Sequence, residues 1–169
     1  MSIRWTSGVA IGISEIDRDH QAFYGAVASL LDAMGSGTGK AELGRLLGFV
    51  QGYVSSHFEL EERAMEESDY PELGPHRREH QQFAHEFSRL QRELEATGPT
   101  TALVIEANER AVQWLRTHIA GADRRFGAFW RERSRPGAPK RPSQPTERSA
   151  QGTPPGWSPR RTGKRVAGQ

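Results

Sequence analysis

No cysteine occurs anywhere in the chain, so neither a disulfide framework nor a thiolate metal site is available to it. Long apolar runs are missing too. Nothing approaches the roughly 20 apolar residues needed to span a bilayer. The amino terminus, Met1 to Gly8, also lacks the apolar stretch of an export signal. A soluble cytoplasmic protein is expected. Proline is scarce in the first 130 residues and crowded after them: seven of the ten prolines, with five glycines, fall in residues 131–169. That segment holds ten Lys/Arg against two Asp/Glu, a net charge of +8, which leaves −6 of the overall +2 for residues 1–130. The chain-wide pI of about 9.3 therefore describes the tail and gives no argument for nucleic-acid binding by the fold. Residues 1–130 are expected to form one domain. Residues 131–169 are too poor in large apolar side chains to form a core and are expected to be a disordered basic tail. Such a tail is suited to contact an acidic partner or surface, with Trp157 as a small anchor.

What is present is periodicity. Ile16, His20, Phe23, Val27, Leu30, Leu31 and Met34 repeat at three and four, which predicts a helix from about Ser14 to Met34. Ser14 and Asp17 are its candidate capping residues, and Gly35-Ser-Gly-Thr-Gly39 stops it. Leu43, Leu47, Val50, Val54, His57, Glu61 and Ala64 predict a second helix that ends near Asp69-Tyr-Pro71. His76, His80, Phe83, Phe87, Leu90 and Leu94 give a third, closed by Thr97-Gly-Pro99. A fourth starts at Thr100 or Thr101 and carries Val104, Ala107, Ala111, Trp114, Leu115, His118 and Ile119. Four amphipathic helices with short connections predict an all-α, antiparallel up-down-up-down four-helix bundle.

Five of the six histidines join two carboxylates in one spaced set: His20, then His57 with Glu61, then His76 with His80, then His118 with Asp123. The pairs His57/Glu61 and His76/His80 are four apart, so each presents two ligand atoms on one helix face. Taken singly, such pairs are common on solvated helices, and His20 alone would read as a hydrogen-bonded core residue. His57, Glu61, His76 and His80, however, occupy beats of the apolar repeat itself and so point inward. Buried, unpaired polar and charged groups cost several kcal/mol each, and bound metal removes that cost. Seven N and O ligands exceed the about six that one octahedral ion accepts, so the set implies two metals sharing bridging carboxylates. His118 and Asp123, five apart, lie about 140° apart on a regular α-helix. A widened turn or a helix end is therefore expected at residues 119–124, eased by Gly121. His85 falls off the stripe and should face solvent, and Glu59 and Glu62 should belong to a solvated charged face.

These residues carry a resemblance. Trp5, Gly12-x-x-x-Ile16-Asp17-x-x-His20, His57-Phe58-x-x-Glu61-Glu62-x-x-Met65 and Tyr70-Pro71 fit the hemerythrin family, as do His76-x-x-x-His80-x-x-Phe83 and Trp114-Leu115-x-x-His118-Ile119-x-x-x-Asp123. In particular, the chain resembles the single-domain bacterial hemerythrins over roughly residues 5–126. The resemblance implies two non-heme iron ions with an oxo or hydroxo bridge. His76, His80 and His118 would hold one iron, His20 and His57 the other, and Glu61 and Asp123 would bridge them. Eleven of twelve octahedral positions are then filled, and the open one lies on the two-histidine iron, where dioxygen binds reversibly. Phe23, Phe58, Trp114, Leu115 and Ile119 would line the oxygen pocket, with Phe126 beside it. Oxygen carriage, storage, delivery or sensing is the implied role, and the protein is expected not to be an enzyme. The alternatives are a di-iron enzyme acting on peroxide or nitric oxide, for which no conspicuous proton donor is evident, and an iron- or redox-sensing module.

Overall fold

The helices are joined too tightly for the chain to cross the bundle. In the computed structural model, which describes residues 3–135, α1 spans Ser14–Gly35, α2 Gly39–Glu67, α3 Leu73–Thr97 and α4 Thr101–Trp114. Connections of three, five and three residues force each helix back along its predecessor. α1 packs on α2, α2 on α3 and α3 on α4, and α4 returns to α1. The expected antiparallel four-helix bundle results, with no strand among the described residues. The tail from residue 136 onward lies outside the described residues.

Turn chemistry explains the helix ends. Gly98, at φ 71°, donates its N–H to the Leu94 carbonyl at 2.9 Å and closes α3. Thr100 Oγ1 accepts the Leu103 N–H at 3.1 Å and caps α4. The start of α1 differs from expectation. Its N-cap is Ile13, without a side-chain cap. Asp17 faces backward instead, accepting the Ile11 and Gly12 N–H groups at 2.7 and 2.9 Å. It thereby folds the amino-terminal arm onto the bundle through Gly12 at φ 90°.

The fourth rod also departs from a regular helix. It neither ends nor merely loosens at residue 119. Leu115–Asp123 form a π-helix, which passes directly into α5, Arg124–Arg133. The loosening therefore begins four residues before the expected span, and the rod runs three residues past the expected boundary at 130. Gly121 has room for a Cβ, so its part is backbone softness and not a spatial need.

Two apolar clusters fill the interior. The larger includes Phe23, Leu30, Leu43, Val50, Tyr53, Phe58, Phe83, Phe87, Leu103, Trp114, Leu115 and Ile119. The smaller is Ile11, Ile16, Met65, Tyr70 and Phe126. Between them along the helices lie the inward polar residues. On α1, Ile16 belongs to one cluster and Phe23 to the other, with His20 between. On α2, Phe58 and Met65 bracket Glu61 in the same way.

The arm and α5 meet at Ile11, whose carbonyl accepts from Arg131 Nη1 at 2.7 Å. A Cβ on Gly127 would stand 2.6 Å from Ile11 Cβ and 2.7 Å from its backbone oxygen, so only glycine permits this approach. Gly127→Ala should destabilise the protein by about 1–3 kcal/mol through overpacking. Gly48→Ala, in α2 with nothing within 4 Å, should stabilise it by about 0.5–1 kcal/mol. Urea unfolding of the two variants checks both signs.

Candidate metal centre

All seven spaced residues converge. His20, Glu61 and Asp123 are completely buried, and His57, His76, His80 and His118 are at most 3 % exposed. His85 is exposed, as expected. The Nε2 atoms of the five imidazoles face one another and the two carboxylates. On one side His76 Nε2 lies 3.2 Å and His80 Nε2 3.3 Å from Glu61 Oε2, and His118 Nε2 lies 3.2 Å from Asp123 Oδ1. On the other, His20 Nε2 lies 3.1 Å from Asp123 Oδ2 and His57 Nε2 3.8 Å from Glu61 Oε2. The atoms form two groups compact enough for a single ion each: Glu61, His76, His80 and His118, and His20, His57 and Glu61. Glu61 belongs to both, and Asp123 reaches histidines of both.

The π-helix makes the last of these contacts. Hydrogen bonding from i to i+5 stacks residues five apart, so Asp123 comes to lie under His118 where a regular helix would turn it away.

Carboxylates outside the centre fix how the imidazoles present themselves. Nδ1 of His57 is 3.3 Å from Asp19, Nδ1 of His80 is 2.8 Å from Glu62 and Nδ1 of His118 is 2.6 Å from Glu79. The His118 bond holds the Glu79 carboxyl below its ordinary range, although burial opposes it. Burial would raise Glu62 as well, but its bonds to His80 and Arg77 outweigh that and hold it low. Ionised acceptors draw the imidazole protons to Nδ1, which leaves Nε2 as a lone pair. A consequence follows at His80 and His118, whose Nε2 atoms are 3.1 Å apart. Two lone pairs at that distance repel unless a cation lies against both. Both His20 nitrogens, Glu61 Oε1 and both Asp123 oxygens are buried without any hydrogen-bond partner, which is ruinous for a metal-free interior and natural for a metal-binding one. The donor set is neutral nitrogen plus carboxylate oxygen, suited to iron and similar divalent ions. The residues present fit a non-heme metal site.

The field inside follows from the same contacts. Burial works against charge on Glu61, but the close imidazoles of His76, His80 and His57 outweigh it and hold its carboxyl well below the usual range. For His118 burial dominates and pushes the imidazole down. For His20 burial is outweighed by its contact with Asp123 and by the nearby Glu61, and the imidazole is raised.

The chain is similar to proteins of known family. The profile of the hemerythrin HHE cation binding domain matches residues 11–130. The chain belongs to the hemerythrin family. It is 30 % identical over 122 residues to a bacteriohemerythrin of Stenotrophomonas maltophilia, covering 72 % of this chain and 77 % of that one. A bacteriohemerythrin of Methylococcus capsulatus is 29 % identical over 127 residues, covering 73 % and 92 %.

Of the six residues that the hemerythrin resemblance assigned to the oxygen pocket, Phe23, Phe58, Trp114, Leu115 and Ile119 lie together in the larger apolar cluster. Phe126 does not join them. It packs with Ile11, Ile16, Met65 and Tyr70, because it follows Asp123 on the rod while Trp114 and Leu115 precede His118. Glu62 also differs from expectation: it is no mere surface charge but the partner of His80 Nδ1. Glu59 is exposed and pairs with Arg63 alone, as a surface residue should. Three imidazoles carry aromatic plates: Tyr53 on His57 (4.2 Å, 20°), Phe58 on His80 (3.8 Å, 3°) and Trp114 on His118 (3.7 Å, 15°). Tyr53 escaped the sequence reading because it lies beside the main repeat of α2, although its position four before His57 was a usable signal.

Removing a carboxylate that orients a metal-binding histidine commonly costs about 10–100-fold in metal affinity. Glu62→Ala should lower affinity by that order in a chelator competition, and Glu59→Ala should leave it unchanged.

Proposed function

We propose that this chain binds dioxygen reversibly at a non-heme di-iron centre. His76, His80 and His118 would hold one iron and His20 and His57 the other, with Glu61 and Asp123 within reach of both. The observation that carries the reading is the inequality of the two ligand groups. Three imidazoles gather on one side and two on the other, around shared carboxylates, so an ion held by the two-histidine group would have fewer protein donors and room for an incoming ligand. When bound in the ferrous state, iron at such a centre would supply the electrons for holding dioxygen in a form that can be released again.

The chain's own residues set the limits of that chemistry. Five neutral imidazoles with only two carboxylates favour the ferrous state over highly oxidised iron. Phe23, Phe58, Trp114, Leu115 and Ile119, each at most 7 % exposed, keep bulk water from the centre and slow irreversible oxidation. Asp19, Glu62 and Glu79 keep three of the imidazoles from turning. The reading is of a binding protein and not an enzyme. Its roles are carriage, storage, delivery or sensing of oxygen.

The test begins with protein loaded to two irons per chain and reduced without air. Admitting dioxygen should produce a ligand-to-iron charge-transfer band in the visible that disappears on degassing. His57→Ala and His118→Ala should abolish the band, and His85→Ala should keep it. A wild-type protein that stays colourless, or a band that never reverses, would remove the reading.

A further inference from the structure

Among the buried side-chain atoms without a hydrogen-bond partner, those outside the seven convergent residues are Tyr53 Oη, Trp114 Nε1 and the amide oxygens of Gln91 and Asn108. Two of these four are donors, and both belong to rings stacked on the centre's imidazoles. Tyr53 lies against His57 and Trp114 against His118. Both rings also stand 5.7 Å from Phe58. Tyr53 further packs on Phe23 at 5.0 Å, so it forms part of the wall above the two-histidine group. The Trp114 indole N–H lies close enough to the phenol oxygen to favour its ionised form against burial, but an indole has no acceptor to offer, so the phenol's own O–H stays unused.

A hydroxyl buried at 5 % exposure without a partner has given up its hydration for nothing in return. Phenylalanine would fill the same space and make the same ring contacts without that loss. The hydroxyl makes physical sense if it waits for an acceptor that arrives with a ligand. The seven convergent groups are not that acceptor, since Tyr53 Oη bonds to none of them.

We propose that Tyr53 donates the hydrogen bond that retains the small ligand bound on the two-histidine side. The ligand class is a two- or three-atom species whose outer atom carries negative charge, such as azide. The proposal rests on the di-iron reading above and adds to it a polar hold in an otherwise apolar wall. A donor of this kind slows ligand escape without adding a charge that would draw water inward.

Azide added to the oxidised, iron-loaded, full-length protein tests it, with wild type and Tyr53→Phe compared. The variant should bind azide roughly tenfold or more weakly, as the loss of a hydrogen bond to a charged acceptor predicts. Its azide antisymmetric stretch should shift and lose its sensitivity to D2O. Metal-free Tyr53→Phe should melt at the wild-type temperature or above it, because no partnered hydroxyl is lost. Unchanged azide affinity and stretch would overturn the proposal, as would a lowered melting temperature with unchanged azide binding. Wild-type protein that holds two irons and takes no azide sinks the proposal alone. Protein that never holds two irons sinks the reading beneath it.

Discussion

Five imidazoles turned nitrogen-first toward two acids inside an apolar bundle is the arrangement on which the rest of this structure depends. The contact between His80 Nε2 and His118 Nε2, 3.1 Å apart, shows why. With each Nδ1 proton directed to an outer carboxylate, the facing nitrogens hold only lone pairs, and a positive ion is what makes their proximity favourable. Much of the bundle follows from meeting that demand. The polar layer divides the apolar interior into two clusters, which lets one chain keep a hydrocarbon core while carrying seven hydrophilic side chains through its middle.

The π-helical stretch is part of the same demand. Four helices offer ligands at intervals of three and four residues without distortion, but the seventh ligand sits five residues after its partner. Hydrogen-bond geometry in Leu115–Asp123 gives way so that His118 and Asp123 meet, and the ladder recovers at Arg124. Loosened turns of this type commonly mark functional sites. Here the local cost is tied to an identifiable gain, the contact of Asp123 with histidines from both ligand groups.

Period and spacing made the bundle and the seven convergent residues readable from the sequence, because burial beats and ligand positions coincide on each helix. What escaped was information that lies between helices. Glu62 looks like surface charge on α2 until α3 brings His80 to it. Phe126 is placed beside the pocket by the hemerythrin resemblance alone, and the rod carries it past the polar layer into the other cluster. Tyr53 is an ordinary aromatic by spacing, and only packing reveals that its hydroxyl lacks a partner. Gly127 gives no sequence signal at all, since the Ile11 backbone that excludes a Cβ is more than a hundred residues away.

The outer carboxylates suggest why the centre holds its shape. Asp19 precedes His20 but binds His57, Glu62 follows Glu61 but binds His80, and Glu79 precedes His80 but binds His118. Each acid is carried by one helix beside that helix's own inward residue and braces an imidazole on the next helix along. The three ties run α1 to α2, α2 to α3 and α3 to the fourth rod, so the positions of the imidazoles and the positions of the helices are fixed by the same bonds. A helix that shifts must break a brace and displace an imidazole at once. Ligand geometry is therefore coupled to bundle packing, and the aromatic plates on His57, His80 and His118 bear on groups already held from outside. For these three imidazoles the orientation is set by the outer acids, and the plates add packing to an orientation already fixed.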